Sequence, residues 1–371
     1  MATAPQEPQA RVATIELFFD LVFVYTVTQL THFIGHAHGP GEVVRGFIVL
    51  VLIWWIYAGY AWLTNGMTAG SGAARRMRLF LIAAATGFLV MSQAIPGSFE
   101  EHTLAFALSY LFVVVLHLAA FAWQGGAGLG KAIARLAPFN LGAAGLVLAA
   151  AFAPGSWKLG LFAAAALIYL AATLLRREAG FSINAHHFVE RHGLVILIVL
   201  GESVMAIATA SAPRGFDPHT VAEVALSLVL IATLWWCYFD RDDERAEHAM
   251  ALAGPRARGR MAIVGYWYGH LAMICGVVLT AAAIKQALGG GPEAQGAAWI
   301  VSSGVAIYLA GDVLFRTALH LAPLAYRAFG AAAAPAFGFI GVRWGAAAEL
   351  AALSLLVAAV LAAERRQLTA P

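Results

Sequence analysis

Apolar runs of spanning length recur along the whole chain, separated by short polar stretches. They fall near residues 15–36, 43–64, 77–96, 103–124, 133–153, 156–176, 187–210, 220–239, 260–285, 297–318, 322–341 and 344–363. A helix needs about 20 apolar residues to cross the hydrocarbon of a bilayer, so each run is a membrane-helix candidate. The fifth and sixth are separated only by Pro154 and Gly155. The eleventh is rich in Gly and Ala, and Pro335 is expected to kink it. The pattern predicts an all-α integral membrane protein of about twelve transmembrane helices.

Composition agrees. The 371 residues are 61% hydrophobic and 12% charged, with a mean hydropathy of +0.77. Soluble chains carry about 25% charge. Cys237 and Cys275 both sit in apolar runs, as packed thiols rather than a disulfide framework. The formal charge of +3 lies mostly in short loops and carries no nucleic-acid signature. Residues 1–14 hold no apolar stretch, so no cleavable leader is expected there. With the N-terminus inside, the cytoplasmic loops hold Arg75, Arg76 and Arg78, then Lys131 and Arg135, Arg176 and Arg177, Arg256, Arg258 and Arg260, and Arg316 and Arg327. Glu364, Arg365 and Arg366 end on the same side. The opposite loops hold Glu100, Glu101 and few cations. This is the positive-inside pattern, and it predicts both termini in the cytoplasm. The longest polar loop runs from Asp240 to Gly259.

The two halves resemble each other. Glu190 lies 174 positions after Glu16, the Trp235-Trp236-Cys237-Tyr238 run 181 after Trp54-Trp55-Ile56-Tyr57, and Arg260-Met261 184 after Arg76-Met77. The offsets grow in order, as a duplicated unit with lengthened loops would make them; chance likeness among apolar helices is the alternative. A duplicated unit of six helices gives two parallel repeats. The expected organisation is a tail at 1–14, a first half at 15–180, a second half at 181–364 and a tail at 365–371.

Polar groups inside these runs are the candidate chemistry. Glu16 and Asp20, four apart on the first helix, share a face. Steps of four continue through Val24, Thr28, His32 and His36, a slanted ladder that suits a proton or cation path. Glu16 taken alone also fits a helix start, where the dipole favours an acid. His32 and His36 have the spacing of metal ligands but no acid or Cys beside them, so no metal is expected. The seventh helix carries His187, Glu190 and Arg191, then Glu202 near mid-membrane on the face of Arg191. His270 follows Tyr266 by one turn, and Asp312 and Arg316 are expected to pair with each other. Arg191, His270 or Arg316 is the expected counter-group of the intramembrane acids. Walker A, GxSxG, HExxH and CxxC motifs are absent from the sequence.

The Glu16–Val24 segment, Phe188-Val189-Glu190-Arg191, Leu200-Gly201-Glu202-Ser203 and Trp235–Asp240 together resemble the bacterial low-temperature-requirement A (LtrA) family. The resemblance implies a multi-pass inner-membrane protein and no settled activity. Phe18, Asp20, Thr26 and Thr28 are also similar to the first helix of endolysosomal-type potassium channels built of six-helix repeats. There Phe19 and Thr14 depart from the signature, and residues 192–194 lack it. That likeness implies shared architecture, not potassium selectivity.

Three functions remain open at this point. One is a cation- or proton-linked transporter or channel with a polar path between helices one and seven. Another is a membrane-embedded enzyme or lipid- or small-molecule-binding protein using the same Asp, Glu and His groups. The third is a purely structural or stress-related membrane protein. The expected partners are the lipid bilayer and protons or monovalent cations, with no cofactor and no nucleic acid; a homodimer is compatible with the sequence.

Overall fold

Helices form wherever the apolar runs stand. The structure is a computed structural model that describes residues 12–65, 72–124, 127–175, 183–289 and 294–369. The N-terminal tail up to residue 11, Arg176 and Arg177 lie outside the described residues. Six long helices make up the first half: α1 (Thr14–Gly35), α2 (Pro40–Asn65), α3 (Gly72–Gln93), α4 (Thr103–Gln124), α5 (Ala127–Ala150) and α6 (Gly155–Leu175). The second half holds α7 (Ala185–Ser211), α8 (Pro218–Phe239), α9 (Asp242–Leu252), α10 (Pro255–Met261), α11 (His270–Gly289), α12 (Ala294–Ala318), α13 (Ala325–Ala333), α14 (Gly338–Trp344) and α15 (Ala346–Thr369).

Helix starts follow local chemistry. The Asn184 side chain accepts from His187 N at 3.1 Å and starts α7. The Asp217 carboxylate accepts from His219 N and Thr220 N ahead of Pro218 and starts α8. Both satisfy amide groups that a helix start leaves orphaned.

Among the described residues, ten segments are long and apolar enough to cross a membrane. The two other expected spans differ from that standard for visible reasons. Helix α3 carries Arg75, Arg76 and Arg78 in its first turns. The eleventh run is broken into α13, a 3-10 turn at Ala334–Phe337 holding Pro335, and α14. A second difference concerns 240–259. The expected polar loop is folded into α9 and α10, because Asp242 turns inward and is buried.

Helix α1 packs on α2, α3, α7 and α11. In the first half, α3 packs on α4, α4 on α5, α5 on α6, and α6 on α2. In the second, α7 packs on α8 and α11, α11 on α12, α12 on α13 and α14, both of these on α15, and α15 on α8. Buried apolar side chains form one continuous core. Phe18, Leu21, Leu79, Phe112, Leu167 and Leu228 point outward. Exposed apolar side chains on backbone-satisfied helices are what a lipid solvent selects.

Direction along the bundle follows from contacts. Arg191 and Glu16 meet near the starts of α7 and α1, and His186 near the start of α7 meets Glu247 of α9. Arg327 of α13 meets Glu364 near the end of α15. The start of α1 and the end of α15 therefore lie at one end of the bundle, called here the near end.

The tightest helix pair is α11 with α12. Gly276 of α11, and Gly269 just ahead of that helix, register against Gly304 and Gly311 of α12. A Cβ on Gly311 would stand 2.7 Å from Met273 N, and one on Gly276 2.6 Å from Gly304 O. Small residues let membrane helices approach closely where lipid offers no hydrophobic drive between them. Gly276→Leu should therefore lower thermal stability in detergent by about 1–3 kcal/mol or more, the usual cost of overpacking, while Gly142→Leu, which meets nothing within 4 Å, should not. Equal melting of the two variants would contradict this packing.

Candidate functional site

Two carboxylates and one guanidinium meet where α1, α2 and α7 converge. Arg191 is 1% exposed. Its Nη1 donates to Glu16 Oε1 at 2.8 Å, and its Nη2 to Asp20 Oδ1 at 3.1 Å. Nη1 also meets Thr64 Oγ1. Tyr57 Oη donates to Asp20 Oδ1 at 2.7 Å. Glu16 Oε2 takes a second set of partners, the Ala13 amide at 2.8 Å and His187 Nε2 at 3.0 Å. Asn65 ties the end of α2 to the start of α7: its Nδ2 donates to Asn184 O at 3.1 Å, and its Oδ1 accepts from Asn184 N at 2.8 Å. His187 Nδ1 lies 3.3 Å from the same Nδ2.

The spacing of the sequence explains the convergence. Glu16 and Asp20 lie one turn apart, so both reach one guanidinium. Glu16 caps the start of α1 and also binds Arg191, so the helix-start and functional readings of this residue coexist. One guanidinium thus serves two carboxylates, with His187 Nε2 on the second oxygen of Glu16, and Asp20 Oδ2 is buried without a partner among the described residues.

Glu202 lies on the same α1–α7 seam, toward the far end. It is buried, and its Oε2 accepts from Thr31 Oγ1 at 3.1 Å. Eleven residues of α1 separate Asp20 from Thr31, which is about 16 Å of helix. Between them the seam is apolar and aromatic. Phe23 stacks on Tyr57 at 4.1 Å between centroids and tilts against Trp54 at 6.1 Å. Val27, Val195 and Val199 are buried beside them.

The expected ladder divides. Glu16 and Asp20 are buried, Val24 is half-buried, and Thr28, His32 and His36 are exposed. Each step of four over-rotates a helix by about 40°, so three steps from Asp20 carry His32 about 120° round. The buried stripe instead passes through Phe23, Val27 and Thr31. Glu190 is half-buried and accepts from Val12 N at 3.1 Å.

His270 is buried one layer away, where Tyr238 Oη stands 3.1 Å from its Nε2 and Gly265 O 3.2 Å from its Nδ1. A carbonyl only accepts, so Nδ1 carries the proton and Nε2 accepts from the tyrosine. The π-helical stretch Ala262–Gly269 leads into this histidine, and such turns often mark functional positions.

Asp312 and Arg316 do not pair with each other. Asp312 Oδ2 binds Arg327 Nη1 at 2.8 Å, while Arg316 binds Glu364 at 2.5 Å and Asp242 at 3.3 Å. Arg245 reaches the same Asp242 at 3.2 Å. The Asp312 and Arg316 side chains are fully buried, and their ionic partners come from α9, α13 and α15 rather than from their own helix. Three carboxylates thus meet three guanidiniums, and this second cluster balances. The residues that sequence reasoning missed at the near end are Thr64, Asn65, Asn184, Asp242 and Glu364, all at helix ends where a polar residue is unremarked. Among the described residues, His, Cys, Asp and Glu form no group of three able to hold a metal.

Removing the shared cation should be costly. Arg191→Gln is expected to lower stability by about 3–5 kcal/mol, the cost of orphaning a buried charge, read as a shift of thermal melting in detergent. Adding Glu16→Gln and Asp20→Asn to that variant should recover much of the loss. Wild-type melting of Arg191→Gln alone would contradict the assignment.

The chain is 23% identical over 287 residues to an uncharacterized protein of Rhizobium meliloti (strain 1021), covering 74% of this chain and 68% of that relative. No solved structure matches it. The family model of the bacterial low temperature requirement A protein (LtrA) matches residues 11–363. It spans nearly the whole chain, including both faces of the α1–α7 seam. This multi-pass membrane protein belongs to the bacterial low temperature requirement A family.

Proposed function

We propose that the protein is a cation- or proton-linked transporter or channel whose path follows the α1–α7 seam. The observation that carries this reading is the shared guanidinium at the near end: Glu16 and Asp20 both bind Arg191, and Asp20 Oδ2 is buried and unpartnered among the described residues. In an interior of low dielectric an incompletely partnered carboxylate takes up a proton or a cation. Neutralising Asp20 weakens the Nη2 contact while Glu16 retains Nη1, so uptake is coupled to movement of Arg191. Thr64 and His187 offer that guanidinium and Glu16 alternative partners. Glu202 with Thr31 provides the second station. The Phe23, Trp54 and Tyr57 rings between them are the gate, opened by changes of rotamer.

The reading includes twelve spans in two parallel six-helix halves, in the inner membrane with both termini cytoplasmic. The helix contacts support it. The pairs α1–α2, α1–α3, α3–α4, α4–α5, α5–α6 and α6–α2 recur as α7–α8, α7–α11, α11–α12, α12 with α13 and α14, these two with α15, and α15–α8. The segment from α13 to α14 also reaches from one end of the bundle to the other. Arg327 meets Glu364 near the end of α15, while Gly341 lies against Glu349 near its start. Reporter fusions after Glu101 and after Arg366 should therefore report opposite sides; the same side for both contradicts this topology.

The function is tested by flux. Wild-type protein in vesicles should dissipate an imposed proton or potassium gradient. Asp20→Asn should fall to the empty-vesicle background while folding and inserting, and Glu202→Gln should be impaired in the same assay. Unchanged flux in both variants would refute the path. A wild-type protein that moves no ion, yet binds a small molecule on these acids, would replace transport with the enzyme or binding reading.

A further inference from the structure

A second polar site lies at the far end of the bundle, in the second half and away from the seam. Helices α8 and α15 both begin there, since both end among the near-end ion pairs. A cavity of about 260 Å³ opens between α8, α11, α12, α14 and α15, and it is walled by Glu223, Ser227, Val301, Gly341, Glu349 and Leu350. A water molecule has a share of about 30 Å³ in the liquid, so the space exceeds what a single water or a bare ion requires.

The walls are chemically uneven. Glu223 is buried, and its Oε2 is bound by Arg214 Nη1 at 2.7 Å, with His219 Nδ1 at 3.6 Å. Glu349 is 1% exposed, and its Oε1 has no partner among the described residues. Ser227 is fully buried, and its Oγ is likewise without a partner. Gly341 brings α14 against the carboxyl group: a Cβ there would stand 2.9 Å from Glu349 Cδ and 2.6 Å from Ala298 Cβ. Two unsatisfied acceptors, each more than nine-tenths buried, therefore line one cavity beside a second carboxylate. Unmade hydrogen bonds at buried polar atoms are costly, and an uncompensated carboxylate more so.

The donor set selects the ligand. A metal ion is disfavoured, because the described residues bring no three metal-ligating side chains together here and the remaining walls are apolar. A primary ammonium carries one positive charge and three N–H donors. Those match Glu349 Oε1, Ser227 Oγ and the Glu223 carboxylate. The apolar walls suit a short hydrocarbon body. We propose that this cavity binds a primary ammonium group carried on a small apolar body, seated between Glu349, Ser227 and Glu223. The ammonium comes either from a free amine or from the headgroup of an ethanolamine lipid. This site is independent of the seam, and its test does not depend on flux.

The experiment uses the full-length protein in phosphatidylcholine nanodiscs, with n-butylamine at neutral pH as the probe and thermal melting and calorimetry as the readouts. Butylamine should bind and raise the melting temperature, and n-butanol of the same length should not. Glu349→Gln and Ser227→Ala should each weaken binding, the first by at least about tenfold, as loss of a charged hydrogen-bond partner implies. Asp20→Asn should bind as wild type does, which separates this site from the seam. Replacing part of the phosphatidylcholine with phosphatidylethanolamine divides the two sources. Competition with butylamine identifies the lipid headgroup, and undiminished butylamine binding identifies a free amine. If Glu349→Gln fails to fold, Ser227→Ala alone decides. Three results would overturn the proposal: no butylamine binding in the wild type with no effect of phosphatidylethanolamine, an equal response to butanol, or unchanged binding in Ser227→Ala and in any folded Glu349→Gln.

Discussion

One guanidinium holds the centre of this molecule. Arg191 enters from α7 and binds two carboxylates of α1, while Tyr57 and Thr64 of α2 close the same group. Three helices are thereby fixed around a buried charge cluster. Desolvating each of these ions costs several kcal/mol, so the cluster stands only because every member has a charged or hydrogen-bonding partner. The same requirement sets the direction of α7 relative to α1. It also brings the end of α2 to the start of α7, where Asn65 and Asn184 bond reciprocally.

The near end carries a second ionic cluster, and the contrast between the two is informative. Around Arg316 and Arg327 the charges balance, and the partners come from four helices. Such a cluster fastens helix ends together. Around Arg191 two carboxylates share one guanidinium, with His187 against Glu16, and one oxygen of Asp20 is left without a hydrogen bond among the described residues. A further acid, Glu202, lies along the same α1–α7 surface, and the proposed path uses that arrangement.

Parts of this were legible in the residues. Glu16, Asp20 and Glu202 interrupt apolar runs, and a carboxylate there has few places to go except the bundle interior. Arg191, His270 and Arg316 were all readable as counter-groups; Arg191 binds Glu16 and Asp20, while Glu202 meets Thr31. The rest depended on rotation and on distant partners. Thr28 and His32 follow Asp20 at a regular spacing, yet the helix turns them outward, because four residues exceed one turn. Asp312 and Arg316 sit one turn apart, yet each binds a side chain brought in from another helix. Asp242 reads as a loop acid and is buried. Glu223 and Glu349 stand near helix starts, where an acid is unexceptional; only the folding of α14 against α15 makes a cavity between them. Gly269 and Gly276, like Gly304 and Gly311, recur at sevens, but their role appears only when α11 and α12 are placed face to face.

The central claim is that the α1–α7 seam is a path for ions and hence for water. Hydroxyl-radical footprinting of the protein in nanodiscs, read by mass spectrometry, addresses it residue by residue. Phe23, Tyr57 and Tyr110 are all buried, at 1%, 0% and 0% exposure; the first two line the seam, and Tyr110 lies in the α4–α6 packing, bonded to Tyr169. A wet path oxidises Phe23 and Tyr57 and spares Tyr110. Equal protection of all three would contradict the account.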